Sequence, residues 1–293
     1  MSGENRQDLL EASSHFAFGK NWASYAEQIG AEEIAEAERG LKRLLSDTPL
    51  SGKRFMDIGC GSGLHSLAAL RLGAREVLAV DLDSDSVTTT RAVLTRHAPG
   101  AHYTVQQVSV FELDAEQHGR FDVVYSWGVL HHTGDLARAL RQAAAMVAPG
   151  GIFIFALYRK TWMCGFWKLE KRWYAHAGPG IQKALRTIHI TLFRASLRMN
   201  GRRFKEYVRT YKGNRGMDYF HDVHDWLGGY PYESISPDEV ALAMAQFGLK
   251  PVRSFVSRGR ILGRYSGILG SGCDEYVYTC PGTSAQAGAS CAE

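Results

Sequence analysis

Residues 54–82 read RFMDIGCGSGLHSLAALRLGAREVLAVDL. A short apolar run breaks into a glycine-rich turn, a helical pattern follows, and a second apolar run ends on an acid. This is strand, turn, helix, strand, acid, the logic of an adenosine-type site on a doubly wound sheet. Gly59, Gly61 and Gly63 lack a Cβ and tolerate positive φ, so a ligand can approach the backbone closely at a helix start. Asp81 closes the second run, where a carboxylate can accept both hydroxyls of a ribose.

The glycine spacing narrows the cofactor. A dinucleotide fingerprint wants GxGxxG, yet position 64 is Leu and the glycines alternate as GxGxG just after Asp57. An acid ahead of the turn would repel a pyrophosphate but suits an amino-acid ammonium. The reading is S-adenosylmethionine (SAM) rather than NAD.

Outward from this block, residues 102–110, 121–127 and 151–158 are β-branched or aromatic runs separated by helical patterns, as in a parallel sheet built of βαβ units. Pro149 and Gly150 are expected to break the chain before the fifth strand. Residues 31–46 carry Ile34, Ala37, Leu41, Leu44 and Leu45 on one face of a covering helix, and 135–147 form another with Thr133 or Asp135 at its start. Ser236, Pro237 and Glu239 have the N-cap, N1 and N3 spacing of a capping box. Strands near 251–256 and 275–280 complete seven.

The motifs MDIGCGSG (56–63), AVDLD (79–83), FDVVYSWGVLHHTGD (121–135) and VAPGGIFIFALY (147–158) resemble the ordered motifs of class I SAM-dependent methyltransferases. The likeness runs from Phe55 to Tyr158, more weakly to Cys280. It implies an α/β, Rossmann-like, seven-stranded doubly wound sheet whose last strand runs antiparallel between its neighbours. It also implies that Asp57, Gly59, Gly61 and Gly63 line the methionine end of SAM, with Cys60 beside it. Asp81 would hold the ribose, Leu82 would flank the adenine, and Trp127 would offer backbone near the amino group. Many such enzymes place an Asp after the third strand; this chain has Ser109, so the Ser109 hydroxyl or the Val110 backbone would meet the adenine. FGKNW (18–22), SWGVLHHTGD (126–135), DWLGGYPYE (225–233) and GSGCDEYVY (270–278) together resemble a sub-group acting on small molecules.

The chain has 293 residues, 45% of them apolar, enough for one catalytic domain plus an elaboration. The expected organisation is a lid and covering helix over 1–48, a SAM-binding core over 49–158, a basic aromatic helical cap inserted after the fifth strand over 159–232, the rest of the core over 233–281, and a disordered polar tail over 282–293. With no charged n-region before an apolar core at the start and no membrane-length apolar run, a cytoplasmic protein is expected. The five cysteines lack CxxC spacing and read as free thiols.

Residues 159–215 hold 15 Lys/Arg against 2 Asp/Glu, a net +13 within a chain of +4 that leaves the remainder at −9. Such asymmetry points to an anionic partner or to an acidic surface on the same molecule. Ile181, Leu185, Ile188, Leu192 and Met199 form an apolar stripe, expected to pack on the sheet domain as a cap. The alternative is peripheral membrane contact through 180–199. No nucleic acid is expected, for no recognisable binding module accompanies the charge. HDVHD (221–225) suits no tetrahedral metal site without distant ligands, so no metal is expected.

Methyl transfer to a hydroxyl or ammonium needs a base near the methyl carbon. His131 and His132 follow the fourth strand, and Tyr25 and Tyr158 join them as candidate catalytic residues. Tyr230, Tyr232 and Glu233 are candidate substrate contacts. Phe18, Trp22 and Tyr25, set around Gly19, are expected to close over SAM, where aromatic faces attract a sulfonium. The substrate is expected to be a small molecule, anionic or amphipathic. Two other classes share the signature: an enzyme that closes the methionine moiety on itself and expels methylthioadenosine, and a SAM-binding module without turnover. No motif speaks to the acceptor's identity or to an oligomeric state.

Overall fold

The computed structural model describes residues 16, 18–215, 219–256, 267, 270 and 272–282. Residues 1–15 of the N-terminal segment and 283–293 of the tail lie outside the described residues.

Helices α1 (Phe18–Ala26) and α2 (Ala31–Leu45) precede β1 (Arg54–Ile58). Then follow α3 (Leu64–Arg71), β2 (Glu76–Asp81), α4 (Ser84–His97), β3 (Tyr103–Gln107), the single turn α5 (Ala115–His118), β4 (Phe121–Trp127), α6 (Leu136–Ala145) and β5 (Val147–Tyr158). Next come α7 (Cys164–His176), α8 (Pro179–Met199), α9 (Phe204–Arg215) and α10 (Tyr219–Gly228), before α11 (Pro237–Gln246), β6 (Lys250–Phe255) and β7 (Cys273–Thr279). The strands form a seven-stranded sheet of order β3-β2-β1-β4-β5-β7-β6. All pairs from β3 to β5 are parallel, and β7 runs antiparallel to both β5 and β6.

Alternating residues feed two cores. Phe55, Val77, Val123 and Ile154 pack beneath α2, α3 and α4, while Met56, Leu78, Val124 and Phe155 face α6 and α11. A sheet buried on both faces explains why its central strands read as continuous apolar runs. Strand β1 is the switch point, since the chain turns one way to β2 and the other to β4. A crevice at the carboxyl ends of these strands is the consequence.

Local signals fixed the helix ends. Ser236 and Glu239 exchange the two bonds of a capping box (3.3 and 2.8 Å) with Pro237 in the first turn, and the Asp135 carboxylate caps α6 by accepting from the Arg138 N–H. Two strand limits differ from expectation. β5 begins at Val147 rather than 151, because Phe121 pairs with Val147 and the register then shifts across the Pro149–Gly150 irregularity. β3 stops at Gln107, and Ser109 caps a 3-10 turn over Val110–Glu112 instead of extending the strand.

The insertion leaves and returns side by side. Lys160 N donates to Ile235 O and Ile235 N to Tyr158 O (3.0 and 3.1 Å). Inside it, α7, α8 and α9 gather around α10, with Tyr174, Tyr211, Tyr219, Val223 and Leu227 as the buried centre and Phe16 joining from the N-terminal segment. Of the expected apolar stripe of α8, Leu185 packs against this centre and the other four residues do not. Ile181, Ile188, Leu192 and Met199 are 47%, 55%, 58% and 87% exposed. The opposite face packs inward, through His189 against Trp226 and Arg186 bonded to His224 and Tyr174. Beside these polar tips, which meet His224 on α10, the apolar Leu185, Ile190 and Phe193 of α8 also pack inward.

The cysteine reading is corrected at one position. Cys60, Cys164 and Cys273 are free, but Cys280 is disulfide-bonded, and Cys291 lies outside the described residues. Spacing along the chain carries no information on which thiols the tertiary fold brings together.

Candidate active site

The crevice at the switch point opens into a cavity of about 1210 Å³. Its floor is the glycine loop. Gly59 and Gly61 adopt φ of +77° and +53°, a region closed to most side chains. A Cβ on Gly59 would strike Val129 at 2.4 Å, and one on Gly61 would press the Trp22 ring at 3.2 Å. Gly59 is therefore small to admit a neighbouring loop, and Gly61 to admit the ring of α1 above it. Gly63 stands apart from the cavity wall. It serves as the left-handed N-cap of α3 and would meet Thr90 at 3.0 Å.

Asp57 and Asp81 both reach the cavity. Burial pushes the Asp57 carboxyl up to about 7, against the lowering effect of the Ser66 hydroxyl that donates to it at 2.6 Å. Asp81 accepts from the N–H groups of Gly61 and Asp83 at 3.0 Å each, and burial raises it to about 6. Two acids held in a desolvated pocket near a point where charge is unfavourable await a cationic or hydroxyl-rich ligand. The fit to SAM is good by donor chemistry: carboxylates for an ammonium and a ribose diol, and aromatic rings for a sulfonium. At Gly128, on the cavity wall, a Cβ would meet nothing within 4 Å. Cys60, Leu82, Ser109, Val110 and Trp127 also line the cavity. Ser109 spends its hydroxyl accepting from Phe111 N (3.3 Å).

Helix α1 lies across the loop. Gly19 N donates to Asp83 (3.0 Å), and Asn21 Nδ2 donates to Asp225 (2.7 Å) and to the His221 carbonyl (3.2 Å). Phe18, Trp22 and Tyr25 all face the cavity. The HDVHD block sends its polar side chains to four other helices: His221 towards Ser24 and Asp225 to Asn21 on α1, Asp222 to the Tyr211 hydroxyl on α9, and His224 to Tyr174 on α7 (2.7 Å) and Arg186 on α8 (2.9 Å). These four residues tie α1, α7, α8 and α9 to α10. No metal-binding group of His, Cys, Asp or Glu occurs among the described residues.

The two histidines divide. His132 lines the cavity beside Phe18, and its Nδ1 donates to the Pro231 carbonyl at 2.7 Å. That bond puts the proton on Nδ1 and the lone pair on Nε2. His131 is fully buried behind the wall, its Nδ1 accepting from Tyr158 N (3.3 Å) and its ring 3.9 Å from that of Tyr158. Burial, His132 and Lys171 hold it neutral, well below the usual range. Tyr158 faces the cavity as a neutral phenol, its pKa raised by burial. Tyr230, Tyr232 and Glu233 do not reach the wall. Tyr230 offers its carbonyl to Phe16 N (3.0 Å), Tyr232 packs on Tyr158, and Glu233 accepts from Leu136 N (2.8 Å) at the start of α6. Hydrogen-bonding side chains in a loop serve local structure as readily as ligands.

Arg43 and His65 lie on the wall but outside every motif quoted above, and Glu275 was given no role there. Arg43 on α2 holds Glu275 on β7 through two bonds (2.9 and 2.7 Å), and Trp127 Nε1 donates to the same carboxylate at 2.9 Å. This trio closes one side of the cavity. His65, lowered to about 4 by burial, stands against Tyr125 nearby. The far wall, from the cap, is aromatic: Phe193, Tyr207, Tyr211, Tyr219 and Trp226. Arg202 and Arg203, two cations of the basic segment 159–215, are exposed and outside the wall.

A family model described as "Methyltransferase domain" matches residues 25–253. The chain is 35% identical over 114 residues to the ubiquinone biosynthesis O-methyltransferase of Albidiferax ferrireducens, covering 39% of this chain and 44% of that enzyme. It is 38% identical over 112 residues to the one of Xanthomonas campestris pv. campestris, covering 38% and 46%. The chain thus spans about half the length of the curated relatives it matches. The crystal structure of magnesium protoporphyrin IX methyltransferase from Synechocystis PCC 6803 with bound SAM is similar in fold, with a TM-score of 0.55, 12% identity, and coverage of 95% of this chain and 99% of that one.

Proposed function

The chain belongs to the methyltransferase domain family, and from that premise we propose that it transfers the methyl group of SAM to a hydroxyl of a small amphipathic acceptor. The observation that carries this reading is one continuous cavity with two unlike ends. At one end are Asp57, Asp81 and the glycine loop, and at the other the aromatic wall of the cap, with His132 and Tyr158 also lining it. The O-methyltransferase names of the partial relatives support oxygen as the acceptor atom.

When bound, SAM supplies an electrophilic methyl carbon on a sulfonium. Asp81 would accept the ribose hydroxyls, Leu82 and Val110 would flank the adenine, and Trp22 and Tyr25 would screen the sulfonium from water, all of them lining the cavity. His132 Nε2 would take the acceptor's hydroxyl proton when the methyl passes from sulfur to that oxygen, leaving S-adenosylhomocysteine, and the Pro231 carbonyl would steady the imidazolium through Nδ1–H. Tyr158, neutral under all working conditions, donates a hydrogen bond to the acceptor oxygen. His131 positions Tyr158 from behind.

The test is calorimetry with S-adenosylhomocysteine, followed by turnover of SAM with phenolic acceptors with and without an aliphatic tail. Expected are binding of the nucleoside and release of S-adenosylhomocysteine only when an acceptor is present. Methylthioadenosine formed without an acceptor would overturn the reading in favour of self-cyclisation. Tight binding with no product from any acceptor would leave a SAM-binding module.

A further inference from the structure

The cap helices expose what a soluble helix normally buries. On α7 and the turn before it, Trp162, Phe166, Leu169 and Trp173 are 63%, 54%, 62% and 56% exposed. Their spacing of i, i+4, i+7 and i+11 puts them on one helical stripe. On α8, Ile181, Ile188, Leu192 and Met199 form a second exposed stripe. Each helix already has a packed face: Trp167, Lys171 and Tyr174 on α7, and Arg186, His189 and Phe193 on α8, all toward the centre built around α10. Both exposed stripes therefore lie on the side away from α10.

Charge says what covers them. Lys168, Arg172, Lys183, Arg194 and Arg198 are exposed on the same two helices, whereas the whole segment 159–215 contains only Glu170 and Glu206 as acids. A second copy of this face would oppose cation to cation across the contact. A bilayer with anionic headgroups satisfies both features, for Trp, Phe and Leu seat at the headgroup boundary while Lys and Arg meet phosphate. No helix among the described residues is long and apolar enough to cross a membrane, so the geometry is that of helices lying in the interface plane.

We propose that the outer faces of α7 and α8 dock the protein on an anionic lipid bilayer. The surface is separate from the SAM end of the cavity, and its test does not depend on turnover.

The full chain is floated with vesicles of phosphatidylcholine alone and with vesicles of equal parts phosphatidylcholine and phosphatidylglycerol, while tryptophan emission is followed. Expected are partitioning onto the anionic vesicles only, a blue shift, and loss of both at high salt, where charge attraction is screened. Trp162→Ser with Trp173→Ser should abolish partitioning, and each of Lys168→Gln, Lys183→Gln and Arg198→Gln should weaken it about five-fold. S-adenosylhomocysteine affinity and melting temperature should stay as in the parent, since every one of these side chains is on the surface. The proposal is overturned if a folded, nucleoside-binding protein ignores anionic vesicles, or if the paired tryptophan variant partitions like the parent. It is equally overturned if light scattering finds a dimer that this variant dissolves and no vesicle binding.

Discussion

His132 and His131 are adjacent in sequence and opposite in consequence. One carries a defined tautomer into the cavity, and the other is sealed behind Tyr158 without access to it. His132→Gln should therefore lower kcat by about 10²–10⁴-fold, the usual yield of a general base, with the SAM dissociation constant little changed. An unaltered rate in a single-turnover assay would remove the base assignment. Asp57 and Asp81 titrate near 7 and 6 because burial penalises their charge. A cationic ligand binds the ionised forms, so affinity for SAM should weaken as pH falls through this range and be full above it. Calorimetry between pH 5.5 and 8, roughly bracketing both groups, should show that dependence. Asp81→Asn should weaken SAM binding about 10–100-fold, as loss of hydrogen bonds to a charged group does. The acid pair was legible in the sequence, since glycine spacing and strand ends define it. Which of two neighbouring histidines faces the cavity was not, because that depends on the Pro231 carbonyl, a partner 99 positions away.

At the scale of elements, α1 is held over the glycine loop by few bonds. One polar anchor to the cap is Asn21, which satisfies the buried Asp225 carboxyl, itself raised well above the usual range by burial. Asn21→Ala leaves that acceptor short of a donor at a cost of about 1–3 kcal/mol. Hydrogen exchange across 18–26 should then accelerate and SAM should bind more weakly. If exchange is unchanged, Asn21 is not what holds α1 in place. The HDVHD run at 221–225 stood out in the sequence as a candidate for metal chemistry and was set aside there only for its spacing. Its histidines and acids instead join helices to one another, a role that sequence spacing cannot separate from metal ligation or catalysis because the partners sit on four other elements. The exposed stripe of α8 teaches the same lesson in reverse. Periodicity found the apolar stripe but assumed it was the inner one.

For the molecule as a whole, one buried ion pair couples cap to sheet. Arg159, the first residue after β5, is 6% exposed and donates from Nε to Asp274 on β7 at 2.7 Å, with a second bond from the same guanidinium. Asp274→Ala strands the buried guanidinium without this counter-charge and should destabilise the fold by about 3–5 kcal/mol, read by denaturant unfolding. Replacing both partners with apolar residues of similar size should recover much of that loss, because desolvation of the two charges is then avoided.

The amino-acid sequence by itself determined the alternating glycines, the flanking acids, the seven-stranded α/β sheet and the position of a basic aromatic insertion. Each of these is written in local patterns: period-2 and period-3.6 hydrophobicity, turn residues and capping spacings, all of which act within a few residues. Only the tertiary structure decided which face of each cap helix is buried, which histidine is presented, and that Arg43, Glu275 and Trp127 close one wall together. Those outcomes are set by contacts between residues far apart along the chain, where packing and desolvation, rather than local propensity, choose the arrangement.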